Sequence, residues 1–275
     1  MNQKIIFDQI KEKRSFLCVG LDVDLKKIPK HLLLEADPIF SFCKAIIDST
    51  SKYAIAYKPN IAFFESYGSK GWESLEKVSN YLSTNYPNVF TIADAKRADI
   101  GNTASRYAEA FFKNLSFDSI TVSPYMGKDS VEPFLNFKNK YAIILALTSN
   151  DGADDFQFFT SDKTALYERV IQVSKKWKNS ERIMYVVGAT KADYLKKIRK
   201  IVPDSFLLIP GVGVQGGSLR DVASTGMNEQ CGLIVNSSRQ ILYANGGLSF
   251  DVSAREEARK LQKIMEQELI KKGII

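Results

Sequence analysis

Histidine is nearly absent from this chain: His31 is the only one in 275 residues. Serine–histidine or cysteine–histidine catalysis, or a histidine-rich zinc site, would have to pass through that one side chain. Its Pro29-Lys30-His31-Leu32 context reads as a loop running into a helix, which suits a surface histidine. Acid–base chemistry therefore falls to aspartate, glutamate and lysine. Cysteine is sparse too. Cys18, Cys43 and Cys231 are odd in number, far apart and set among apolar residues. They read as reduced core thiols, not as a disulfide framework or a metal cluster. No run reaches the ~18 apolar residues of a membrane span. The amino terminus, Met1-Asn2-Gln3-Lys4-Ile5, lacks the long apolar core of a secretory signal, so a cytoplasmic protein is expected. The 38 basic and 31 acidic residues leave a net charge of +7, which favours anionic ligands. Those bases are scattered and form no stripe with groove-reading elements, so nucleic-acid binding is not expected.

What the chain does have is a full core and a regular alternation. Hydrophobic residues make up 45% and charged ones 25%, as in soluble globular proteins. Short β-prone runs occur at about 16–22, 54–60, 88–96, 119–125, 141–149, 182–190, 206–213 and 231–238. Seven intervening segments read as largely helical, and an eighth follows the last run. In that last segment Leu261, Ile264, Met265 and Leu269 recur at helical spacing. Most runs are apolar on both faces, Tyr141 to Leu147 for example, as strands of a covered parallel sheet are. No Pro/Gly/Ser-rich linker divides the chain. The expectation is a single α/β domain over residues 1–275, a closed (β/α)8 TIM barrel, for which ~250 residues is typical.

An open doubly wound sheet is the alternative. It draws on Gly211-Val212-Gly213-Val214-Gln215-Gly216, a literal G-x-G-x-x-G after a strand. A dinucleotide fingerprint belongs on the first strand of its fold, with an acid ~20 residues on. Here the glycines follow the seventh run, and Asn236-Ser237-Ser238-Arg239 contains no acid. In a barrel the same glycines suit a phosphate site built from the loops after strands seven and eight. Gln215 can donate an amide hydrogen bond there, and Arg239 offers a planar fork for the anion.

The densest charge pattern is Asp94-Ala95-Lys96-Arg97-Ala98-Asp99-Ile100-Gly101-Asn102-Thr103, directly after the apolar Val89–Ala93. If the strand period of two continues, Phe90, Ile92, Asp94 and Lys96 share one face. That file runs from a packed interior to a polar opening. A carboxylate and an ammonium fixed at such a rim suit charge-controlled chemistry; a structural ion pair at a strand end is the plainer reading. In a barrel, Asp22, Lys58, Asn60, Thr148, Ser149 and Pro210 end other strands at the same mouth. Asp22 or Asn60 alone would read as a helix cap, but their joint placement reads as a site.

The 94–103 segment closely resembles the signature of the orotidine 5'-phosphate decarboxylase family. Gly20-Leu21-Asp22, Lys58-Pro59-Asn60, Leu147-Thr148-Ser149-Asn150, Pro210 to Gln215 and Asn236 to Arg239 match in order. The Lys-Pro-Asn and Thr-Ser-Asn forms look like the longer bacterial subgroup, which some parasite enzymes also resemble. The D-x-K-x-x-D core is shared with sugar-phosphate decarboxylases of the superfamily; the Ile100–Thr103 extension is more specific.

The resemblance implies conversion of orotidine 5'-phosphate to uridine 5'-phosphate, the last step of de novo UMP biosynthesis, without metal or cofactor. Lys96 would protonate C6 of the pyrimidine, and Asp94 would sit beside the departing carboxylate, flanked by Lys58 and Lys96. Asp99, with Ile100 and Thr103, would enter the site from the other subunit of a homodimer. Asp22, Lys58, Asn60 and Thr103 would hold ribose hydroxyls. Thr148 or Ser149 would bond the pyrimidine edge, Pro210 would pack on the ring, and Gln215 and Arg239 would bind the phosphate. Two rival functions remain at this stage. One is a magnesium-dependent keto-sugar-phosphate decarboxylase or synthase of the same superfamily. The other is a non-catalytic nucleotide-binding barrel.

Overall fold

The computed structural model describes residues 1–212 and 217–275. Eight parallel strands close into a barrel. They are β1 (Leu17–Leu21), β2 (Ala54–Pro59), β3 (Phe90–Arg97), β4 (Ser119–Val122), β5 (Tyr141–Leu147), β6 (Ile183–Val187), β7 (Leu207–Pro210) and β8 (Leu233–Ser237). Each pairs with the next in sequence, and β8 returns to β1 through Leu17–Val235, Cys18–Asn236 and Val19–Ser237. Every residue of β1, β2, β4, β6 and β8 is buried, because one face fills the barrel and the other is covered by helices. The closed seam settles the architecture in favour of the barrel over the open sheet.

The covering helices carry ordinary start and stop signals. Helix α1 spans Gln3–Lys13, α2 Pro38–Thr50, α3 Gly68–Asn85, α4 Gly101–Glu109, α5 Leu166–Ser174, α6 Ala192–Ile201, α7 Leu219–Gly226 and α8 Phe250–Lys272. Asp37 caps α2 by accepting from the Phe40 N–H, with Pro38 in the first turn. The stripe expected in α8 is present, with Leu261, Met265 and Leu269 buried and Ile264 packed beside them.

The structure departs from the sequence expectation in several places. Seven of the eight strands stop short of their expected carboxyl ends, so most of the polar residues stand just past the ladder. Residues 123–125 are not strand, and Tyr125 is 88% exposed. Helix α1 precedes β1 and had no counterpart in the alternation. It lies across the amino end of the barrel, where Ile6 and Ile10 are buried. Gln3 donates to the Glu181 carbonyl, and Lys13 donates to the carbonyls of Ser51 and Ala54 at 2.9 and 2.8 Å. Between β4 and β5 only the four-residue helix Glu132–Leu135 and a 3-10 turn appear. A small ribbon, Thr160–Ser161 paired with Thr164–Ala165, follows β5.

His31 is exposed in a 3-10 turn, Lys30–Leu34. The three cysteines are free and buried, and burial pushes the Cys18 and Cys231 thiols up to about 12. Among the described residues no helix is long and apolar enough to cross a membrane.

Candidate active site

The polar ends of the strands meet around a cavity of about 370 Å³ at the carboxyl mouth of the barrel. Asp22, Lys58, Asn60, Asp94, Pro210 and Arg239 all line it. At its centre is a Lys–Asp–Lys array. Asp94 Oδ2 accepts from Lys58 Nζ at 2.7 Å, and Asp94 Oδ1 accepts from Lys96 Nζ at 2.6 Å. Burial opposes the Lys58 charge, yet the Asp94 and Asp22 carboxylates outweigh it and hold the ammonium above its ordinary range. Burial likewise opposes the Asp94 charge, but Lys58 and Lys96 hold its carboxyl well below the usual carboxylate range. Lys58 and Asp94 are therefore both ionised at neutral pH.

Lys96 does not reach Asp94 by the regular two-residue alternation. Its φ is +47, in the left-handed region, and the ladder with β4 shifts register between Ala93 and Arg97. The side chain returns to Asp94 from a bulge rather than from the same face of a flat strand. Beyond it, Arg97 is ion-paired to Glu65 and lies over the Tyr107 and Phe111 rings, at 5.4 and 5.6 Å. That anchors the end of β3 to its neighbours.

Asn60 occupies the N-cap position of the short helix Ile61–Glu65, yet its side chain makes no capping bond and faces the cavity. Asp22 is no cap either. Its Oδ1 is buried with no hydrogen-bond partner among the described residues, and so is Asn236 Oδ1 on the same cavity wall. Two buried acceptors without donors suit a ligand that brings hydroxyl hydrogens. Gly20 lets β1 approach β8 here: a Cβ on it would stand 1.9 Å from Ser238 Oγ. On the far wall Gly211 turns at φ +94, a conformation open to glycine. Arg239 is exposed, with no ion-pair partner among the described residues. Gln215 lies outside the described residues.

Lys96, Thr148 and Ser149 stand at the same mouth but off the cavity wall itself. The Thr148 hydroxyl is committed: it donates to Asn150 Oδ1 at 2.6 Å and accepts from Gln157 Nε2 at 2.7 Å. The Ser149 hydroxyl has no such bond among the described residues. Asp99, Ile100 and Thr103 do not join their own cavity. Asp99 accepts from the Ile100 N–H at 2.7 Å, Ile100 is 47% exposed, and Thr103 is exposed on α4.

Sequence reasoning missed Thr121, whose hydroxyl donates to Asp94 Oδ1 at 3.0 Å, and Gln157, which braces Thr148. A threonine inside an apolar strand and a glutamine in a loop carry no signal of their own. Asn236 lay within a matched segment but received no role. Lys27 and Phe63 also line the cavity unannounced. Among the described residues no three histidine, cysteine or acidic side chains converge as a metal-holding group.

Fold and site together define a class: a (β/α)8-barrel enzyme that works with fixed charges on a small anionic substrate. The chain belongs to the orotidine 5'-phosphate decarboxylase / HUMPS family, whose model matches residues 15–249. It is 62% identical over 267 residues to an orotidine 5'-phosphate decarboxylase of Flavobacterium johnsoniae, covering 97% of this chain and 98% of that one. A Porphyromonas gingivalis protein of the same name is 57% identical over the whole of both chains. Among solved structures, an OMP decarboxylase from Leishmania donovani superposes with a TM-score of 0.81 at 34% identity, covering 96% of this chain and 99% of that one.

Proposed function

We infer that this chain decarboxylates orotidine 5'-phosphate to uridine 5'-phosphate, with residues 1–275 acting as one barrel domain. Family membership names the reaction class, and one observation carries the chemistry: a largely buried carboxylate held between two ammonium groups at the barrel mouth. As the C6–carboxylate bond breaks, carbon dioxide leaves and the electron pair stays on C6. Lys96 gives C6 a proton and regains one from water. Lys58, Asp94 and Lys96 are already charged and fixed, so they favour the developing carbanion without reorganising. The reaction needs no metal or cofactor on this reading. The magnesium-dependent rival would want added carboxylates, where the end of β2 instead offers Lys58 and Pro59, with Asn60 just beyond.

Asp22 and Asn60 take ribose hydroxyls, which would satisfy the buried Asp22 oxygen. Ser149, with its uncommitted hydroxyl, takes the pyrimidine edge, while Thr148 braces the strand end. Pro210 packs on the ring. Arg239 takes the phosphate together with Gln215 and the Gly211 turn. Asp99, Ile100 and Thr103 complete the site of a second subunit in a homodimer; their placement off their own cavity, with Ile100 and Thr103 exposed, supports this. The enzyme works in the cytoplasm, where its three free thiols stay reduced.

The test is the fall in orotidylate absorbance on adding purified protein, with and without chelator. Turnover should survive chelator and vanish in Lys96→Ala while that variant stays folded. Turnover lost to chelator and restored by Mg²⁺ would instead favour the sugar-phosphate reading. Binding without turnover would favour a non-catalytic barrel.

A further inference from the structure

The β3–β4 ladder pairs Ile92 with Ser119 and Ala93 with Ile120, then resumes at Arg97 with Val122. Asp94, Ala95 and Lys96 thus stand opposite one residue of β4, Thr121. A bulge of this kind takes backbone groups out of the ladder and re-aims side chains. This one contains both the central carboxylate and the proton donor. Lys96 sits at φ +47, which a lysine adopts only where its surroundings hold it.

Thr121 provides that hold. Its Oγ1 accepts from the Lys96 backbone N–H at 2.9 Å and donates to Asp94 Oδ1 at 3.0 Å. The residue is 1% exposed, so water does not compete for either bond. One atom replaces the missing ladder rung and occupies a lone pair of the carboxylate. Only a hydroxyl does both. Valine fills the same volume and does neither, whereas serine does both in a smaller volume.

We propose that Thr121 is a positioning residue of the reaction. It pins the bulge so that Lys96 Nζ returns to Asp94 Oδ1, and it keeps that oxygen in place while Lys96 delivers its proton. This rests on the roles of Asp94 and Lys96 inferred above. When Lys96 turns from Asp94 to C6, Lys58 stays on Oδ2 and Thr121 on Oδ1, so the carboxylate cannot swing after the departing ammonium. Without the hydroxyl, only one carboxylate oxygen stays fixed and the Lys96 N–H loses its partner.

The experiment measures kcat and KM for Thr121→Val, Thr121→Ala and Thr121→Ser beside wild type and Lys96→Ala. The valine and alanine variants should lose about ten- to a hundredfold in kcat, the scale of hydrogen bonds to charged groups. KM should move by less than about threefold, because substrate-binding groups are untouched. Serine should restore most of the rate. In wild-type protein the Lys96 amide should exchange slowly with deuterium, which a bond to Thr121 requires and which can be read even if the valine and alanine variants do not fold. Wild-type kcat in either of those variants, a serine variant as slow as valine, or a Lys96 amide exchanging at the open-chain rate would each overturn the proposal. An active Lys96→Ala would instead overturn the site reading beneath it. An inert Lys96→Ala beside an active Thr121→Val removes Thr121 alone.

Discussion

At Lys96 the chain keeps a long cationic side chain at φ +47, where glycine would be the easier residue. The strain is separable from the charge. Lys96→Ala and Lys96→Gly both lose the ammonium and its bond to Asp94, but only glycine relieves the backbone. Lys96→Gly should therefore be the more stable of the two inactive variants, by about 1 kcal/mol. That reverses the usual order within a strand. Chemical denaturation of the pair measures it, and equal midpoints would mean the position is unstrained. The same residue shows how far single side chains were legible. Asp94, Lys96 and Lys58 could be found because charge at the end of an apolar run is conspicuous. The φ at Lys96 could not, since strand periodicity assumes a regular pleat. Thr121 acquires meaning only once β4 is known to lie opposite the bulge.

At the level of elements, the strands were readable because burial on both faces leaves almost no polar residue in them. Their carboxyl ends were not. Residues such as Val212 and Tyr125 look β-prone, yet the ladder has already ended where chains diverge at the barrel mouth. Helix α1 escaped because nothing in the alternation calls for a helix before the first strand. It has a titration of its own. Burial of Lys13 lowers its ammonium to about 8, only partly opposed by Glu12. In an unfolded chain a lysine titrates near ~10.4. Between these values the unfolded state binds more protons, so Lys13 makes stability rise with pH across that window. Below it both states are charged and the contribution is constant. Urea denaturation of wild type and Lys13→Met checks the sign. The stability of wild type relative to the variant should increase from pH 8 to about 10. A flat difference would show that Lys13 titrates as if solvated.

For the whole molecule, alternation alone allowed an open sheet, and closure was decided by β8 pairing with β1. The proposed second subunit would leave an even fainter trace in sequence. The observation offered for it is a run, Asp99 to Thr103, that stays out of its own cavity. Mixing tests the shared site. Inactive Lys96→Ala and Asp99→Ala proteins are dissociated, combined equally and allowed to reassociate. In each mixed dimer one site carries both lesions and the other carries none. Random pairing gives about half mixed dimers, so activity should return to roughly a quarter of wild type. If subunits demonstrably exchange and no activity returns, Asp99 acts within its own chain.

The seam between β1 and β8 has a consequence for the life of the protein. It joins opposite ends of the chain through three residue pairs, and Asp22 and Arg239 stand just beyond it on either side. Contacts so distant in sequence demand costly loop closure during folding. On the proposed reading, a nucleotide held between Asp22 and Arg239 would span that closure, so it would bind the finished barrel and not a chain with its ends apart. By mass action it would then shift the population toward the closed form. The supply of substrate and product would thus help to decide how long each copy resists unfolding and proteolysis, and a shortage of nucleotide would be felt as a shorter-lived enzyme.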